Sequence, residues 1–407
     1  MLRLAILLSA VLAVPRWGYE FNRLAFAVDG AIDLRLRFAE LQQWFLGIPV
    51  YTREGTAVYP PATYAMLRPL VDFHSFAATR HVWSILLVSM AAWLVWLAID
   101  GSKSKARNER IAVALFVLAM YPTAVNIGNG QLALLVIPPL VAAVLLARAP
   151  GGGWMKDLGV SLLLVFSLLK PNISVPFMWI ILFSGHGSRI ITLMVVVYAS
   201  LTLWAASFQP DSLYTLIGNW LEKSAFSTAG GETELLPSGL ASTSLLGDQA
   251  VQWLQPLVEG ANNAGYGSVA NLLSVLGVPH WSQPVILLIL AVLGIWIYRH
   301  RQADPWLLLG VTAIVTRVAI YHRLYDDLLI VLPFIAIIRL TRHNAEEMHT
   351  RVFAGALLFS AWLGLLAPGT LLRLPYPYGT PFQAAEFLLW MGMLLFLLRQ
   401  AARQSSD

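Results

Sequence analysis

Apolar runs recur along nearly the whole chain, separated by short polar connectors. Leu4 to about Val14 follows a lone Arg3, and further runs occupy 81–99, 111–127, 131–147, 158–169, 172–185, 190–207, 284–298, 306–320, 327–340, 352–368 and 384–398. Read as helices, these runs predict twelve membrane crossings. The small residues Ser9, Ala10 and Ala13 of the first run suit a secretory signal, but its basic flank and short apolar core also suit an uncleaved first helix, the reading adopted here. Two stretches interrupt the pattern, 16–80 and 208–283, and both are expected as long outer loops. The second is rich in Gly, Ser, Thr and Pro, and its apolar pieces Leu213–Leu221 and Ala270–Val278 predict helices lying on the membrane surface.

Runs 158–169 and 172–185 are short against a hydrocarbon core of roughly 30 Å. A single tilted span would bury Lys170 in lipid. A shallow hairpin broken at Lys170-Pro171-Asn172 avoids this, and its apex should then line a watery cavity.

Composition removes the soluble alternatives. Hydrophobic residues make up 58% of the chain and charged ones 12%, against about 45–50% and 25% in soluble domains. The fold class is therefore an all-α polytopic membrane protein, with residues 1–407 as one integral domain. Cysteine is absent, which excludes disulfides, thiolate metal sites and a cysteine nucleophile. The net charge of +5 bears on orientation and lipid phosphates rather than on nucleic acid. With a cytoplasmic N-terminus, the inner segments collect Arg3, Lys103, Lys105, Arg107, Arg110, Arg148, Lys156, Arg189, Arg299, Arg301, Arg339, Arg342, Arg351, Arg399 and Arg403. That asymmetry predicts both termini in the cytoplasm.

The same topology gathers chemistry at the opposite face: Asp33, the stretch Asn126–Gln131, Lys170-Pro171-Asn172, the 208–283 loop and Tyr321–Asp327. Asp33 opens the arginine-bearing segment DLRLRFAELQQWFLGIPVYTREGTAVYPP and is its only aspartate. A carboxylate among cations suits a reaction with an anionic leaving group: Asp33 takes a proton from a hydroxyl acceptor, while Lys170, His322 and Arg323 hold developing phosphate charge. Candidate catalytic residues are Asp33 and His322. Candidate substrate contacts are Arg35, Arg37, Tyr59, Asn129, Gln131, Lys170, Asn172, Arg323, Tyr325 and Asp326. Nothing in the spacing of His, Asp and Glu calls for a metal or another cofactor.

Competing readings attach to several positions. Asp29 is a rival acid, and Glu40, seven residues after Asp33, keeps a two-acid hydrolase open. Tyr59-Pro60-Pro61 makes a rigid turn, Gln131 suits a helix cap, Lys170 could snorkel, and His322 could bond Asp326. Arg35 and Arg37 also suit lipid headgroups. Trp44 could stack on a sugar or prenyl chain.

Asp33 followed by Gly47 and Tyr51, Tyr59-Pro60-Pro61, Gly128-Asn129-Gly130-Gln131, Lys170-Pro171 and His322-Arg323-Leu324-Tyr325-Asp326 resemble the motifs of glycosyltransferase family 87. The resemblance implies a GT-C fold whose active site faces the periplasm or exterior. It also implies a polyprenyl-phosphate sugar donor, with mannose expected, a glycolipid or glycan acceptor, and inversion without a nucleotide sugar. Asp33 takes the place of the base in such a protein, with His322 and Lys170 near the donor phosphate. The Leu-Arg-Leu-Arg after Asp33 departs from the aromatic pair expected there. The alternatives are a transporter or lipid flippase, for which many spans and intramembrane charge are equally natural, and a noncatalytic membrane subunit.

Overall fold

Proline, glycine and buried charge divide this chain into helices of two lengths. The computed structural model describes residues 2–52, 55–71, 75–228, 268–320, 323–343, 348–374 and 378–404, and no β-strand occurs among them. In chain order the helices are α1 (Leu2–Ala25), α2 (Ile32–Phe45), α3 (Pro61–Val71), α4 (Phe76–Gly101), α5 (Arg107–Ala119), α6 (Tyr121–Asn129), α7 (Leu132–Arg148), α8 (Trp154–Ser167), α9 (Pro171–Ser174), α10 (Met178–Leu182), α11 (Gly187–Ala206) and α12 (Leu213–Thr228). They continue as α13 (Val269–Val275), α14 (Ser282–Arg299), α15 (Pro305–Ala319), α16 (Val331–His343), α17 (Met348–Leu366) and α18 (Thr380–Gln404). A 3-10 turn, Leu324–Ile330, leads directly into α16.

Among the described residues six helices, α1, α4, α11, α14, α17 and α18, are long and apolar enough to cross a membrane. A seventh crossing results if α5 and α6, bent by 48° where Met120 leaves helical geometry before Tyr121-Pro122, count as one. Helices of this length and hydropathy therefore number six or seven among the described residues, against twelve apolar runs in the sequence. Most of the expected apolar stretches are helical, but α7, α8, α15 and α16 have 17, 14, 15 and 13 residues. At roughly 1.5 Å per residue they reach about 20–26 Å, less than the hydrocarbon core. Burial separates the two classes: α7 is buried at every position from Leu132 to Val144 and α15 at nearly every one, whereas the long helices present most of their surface outward. Long helices form the lipid-facing rim of a membrane-embedded protein, and the short ones fill its centre.

The first helix also corrects the sequence pattern. It runs on to Ala25, so Arg16 and Arg23 belong to it rather than to an outer loop. Arg16 donates to the carbonyls of Ala119 and Leu366, and Arg23 pairs with Glu20 at 2.6 Å. Arg80, in α4, donates to the carbonyls of Arg23 and Leu24 at the C-terminus of α1 and to that of Ala27 in the turn beyond it.

Residues 154–186 form the expected hairpin. Lys170 adopts φ −132°, ψ 82° ahead of Pro171, which ends the ascending limb. The returning limb is α9, a 3-10 turn and α10. It comes back beside its starting point, where His186 Nδ1 lies 3.5 Å from Asp157 and Arg189 pairs with the same carboxylate.

Basic connectors close the end of the bundle away from Lys170. Arg339 pairs with Asp304 at 2.7 Å, Arg342 with Glu109 at 2.9 Å, and Arg148 donates to the carbonyls of Arg301 and Ala303. At the other end α2, α3 and α12 make a cap. Trp44 is fully buried there, stacked on Tyr64 with ring centroids 4.4 Å apart and donating to the Ala205 carbonyl at 2.9 Å. Its reading as a sugar or prenyl platform is thereby corrected.

The 3-10 turn ties the centre together. Asp327 is fully buried, accepting from the Arg317 guanidinium of α15 and from the Tyr121 hydroxyl of α6. Asp327→Ala leaves Arg317 buried without that counter-charge, so stability should fall by about 3–5 kcal/mol, visible as a lowered thermal midpoint of the purified protein in detergent.

Candidate active site

Asp33 is placed by a turn rather than by its own helix. Ala31 takes left-handed backbone geometry, φ 55° and ψ 40°, just before α2 and donates from its N–H to the Gly128 carbonyl at 3.1 Å. Such geometry costs about 1–3 kcal/mol in a residue other than glycine, so the surrounding contacts must hold it. Across the turn, Gly130 has φ 71°, and a Cβ there would come within 2.7 Å of Leu34. Glycine at this position lets the start of α2 lie against the 128–131 turn. Gln131, only 3% exposed, makes no side-chain cap for α7 and instead donates to the half-buried Asp33 carboxylate.

Arg37 follows four residues after Asp33, on the same helix face. Its Nη2 pairs with Glu40 at 2.7 Å, its guanidinium lies 4.7 Å from the Tyr59 ring centroid, and its Nη1 is buried with no acceptor among the described residues. Glu40 also accepts from Thr56 at 2.7 Å and from the Tyr64 hydroxyl at 3.4 Å. Glu40 thus orients Arg37 and does not stand as a second acid beside Asp33. Arg35, two residues from Asp33, points elsewhere: it is exposed, donates to the Val28 carbonyl and lies 5.0 Å from the Phe76 ring. Asp29, the rival acid, is exposed in a turn.

The hairpin apex and the 3-10 turn complete the group. Lys170 is 4% exposed, pairs with Asp326 at 2.5 Å and lies 4.6 Å from the Tyr325 ring centroid. This pairing replaces the snorkelling alternative. Asp326 also accepts from the Arg323 N–H at 3.3 Å; His322, with its competing reading as a partner of Asp326, lies outside the described residues. Asn172 is half-buried in α9. Asn129 is drawn away, accepting at 3.0 Å from Arg23 of α1. Asn126, given no role of its own in the sequence pattern, proves a joint: its amide donates to the Pro122 and Tyr325 carbonyls at 2.7 Å, and its oxygen accepts from the Leu134 N–H at 3.1 Å. Its signal in the sequence was an amide just ahead of Gly128 and Gly130, at the end of an apolar run.

Burial raises the Asp33 carboxyl above the usual carboxylate range, opposed by the Gln131 hydrogen bond and by the charges of Arg37, Arg323 and Lys170. Burial also raises the phenols of Tyr59 and Tyr325, both within electrostatic reach of Asp33, and keeps them neutral. Glu40 and Asp326 each have a cation in contact, which leaves Asp33 as the acid whose hydrogen-bond partner is an amide. The arrangement can accept a proton at Asp33 and hold an anionic oxygen at the buried Arg37 N–H. No family model matches the chain, nor does any curated protein or solved structure.

Replacing Gln131 by Leu removes a donor that favours the charged form, so the Asp33 pKa should rise further. Carbodiimide labels protonated carboxyls; peptide mapping of Asp33 labelling against pH should show the decline displaced upward in Gln131→Leu relative to the parent protein.

Proposed function

We propose that the protein is a membrane glycosyltransferase that moves a sugar, with mannose as the expected one, from a polyprenyl phosphate to a hydroxyl of a lipid or glycan with inversion. The observation carrying this reading is Asp33 with a raised pKa, close to Arg37, Lys170 and Arg323, beside a buried guanidinium N–H that has no acceptor. Asp33 takes the acceptor's hydroxyl proton as its oxygen bonds to the anomeric carbon. The bond from that carbon to the phosphate oxygen breaks, and polyprenyl phosphate leaves with the electron pair, its charge held at Arg37 and Arg323. An apolar groove of about 430 Å³ along α11 and α12, lined by Leu168, Met194, Tyr198, Thr202, Leu213 and Ile217, suits the isoprenoid chain. The motif likeness to glycosyltransferase family 87 agrees with this reading.

Sidedness follows from charge. The basic connectors lie at the end of the bundle away from Asp33, and the positive-inside tendency assigns that end to the cytoplasm of a bacterial inner membrane. The site then opens toward the periplasm or exterior, with both termini inside.

Two measurements test the proposal. Purified protein with radiolabelled polyprenyl-phosphate-mannose and a membrane lipid extract should form labelled product, and Asp33→Asn should lower turnover at least about a hundredfold as expected for a lost general base. Absence of product across a panel of polyprenyl-phosphate sugars sinks the assignment. Because the chain has no cysteine of its own, single cysteines report orientation without background: Thr52→Cys should react with a membrane-impermeant maleimide on intact cells, and Lys105→Cys only after permeabilisation.

A further inference from the structure

A second polar centre lies at the 3-10 turn, away from the Lys170 pair. The Tyr121 hydroxyl donates to Asp327 and also lies 3.4 Å from Glu386 Oε1 of α18. Asp327 is in contact with the Arg317 guanidinium, so the Tyr121 hydroxyl brings a second carboxyl, Glu386, to a group whose cation is already engaged, at membrane depth where charge is expensive.

Glu386 and Tyr121 form the polar floor of a cavity of about 370 Å³ between α17, α18 and the 3-10 turn Gly369–Arg373. Its walls are mainly apolar, including Ala367, Leu371, Phe382 and Leu389, and Gly364 contributes no side chain. A Cβ at Gly364 would meet nothing within 4 Å. On the same two helices Leu363 and Leu388 are 50% and 67% exposed, so the elements bounding the cavity face lipid. A hydrated metal ion fits poorly against such walls. A chain bearing its cationic head directly on hydrocarbon fits both the floor and the walls.

We propose that this cavity binds the primary ammonium head of a long-chain membrane amphiphile, with Glu386 as its counter-ion and the Tyr121 oxygen as a second acceptor. The site is distinct from the Asp33 group and does not depend on the transferase reading.

Native mass spectrometry of the full-length protein with dodecylamine, dodecanol and dodecyl phosphate tests it. Dodecylamine should bind with one molecule per chain and more tightly than the alcohol or the phosphate. Glu386→Gln should weaken it at least about tenfold, the size of one charge-assisted hydrogen bond, and Gly364→Phe, which fills the cavity from the lipid side, should do the same without touching the charge. Equal binding of the alcohol, or dodecylamine binding that survives both substitutions, overturns the proposal.

Discussion

A bilayer supplies no water to pair a polar group, so every charge at depth needs its partner within the chain. The turn Leu324–Ile330 meets this demand for two carboxylates at once. In a 3-10 turn, successive side chains point about a third of a turn apart, so neighbouring acids leave in different directions. Asp326 reaches the hairpin apex at Lys170, and Asp327 reaches Arg317 of α15 and Tyr121 of α6. Four separate parts of the chain are joined through two consecutive residues.

That joint explains why the central helices are short. Gln131 precedes α7, Lys170 follows α8, Arg317 lies in the last turn of α15, and Asp326 sits just before α16. Each of these helices runs from the basic end of the bundle and stops at polar residues. The polar ends of these short helices meet the turn that places Asp33, within a rim of longer helices.

The sequence pattern located most helices because apolar runs between basic connectors are a strong signal in a membrane protein. It could not separate rim from centre: the apolar runs at 81–99 and 131–147 look alike, and only the lengths of the helices formed and their burial by neighbours distinguish α4 from α7. Within the site, the break at Lys170-Pro171 and the gathering of Asp33, Gln131, Lys170 and Tyr325 were legible, since each polar residue interrupts or borders an apolar run. Which arginines face the site was less so. Arg16, Arg23 and Arg80 read as outer-loop charges, yet they tie helices together through carbonyls and Glu20, an arrangement that depends on three-dimensional neighbours.

Helical spacing accounts for the division of labour around Asp33. Arg37 at the fourth position and Glu40 at the seventh share its face, while Arg35 at the second is turned away. Glu40 takes one edge of the Arg37 guanidinium and is itself held by Thr56 and Tyr64, so the other edge is fixed in place with its N–H unused. A lysine at this position could not reproduce the fork, since its ammonium is a point charge on a flexible stem. The same geometry keeps Arg37 from closing on Asp33 as a simple ion pair. Burial then acts on Asp33 with only partial compensation from Gln131, Arg37, Arg323 and Lys170, which lifts its pKa above the usual carboxylate range.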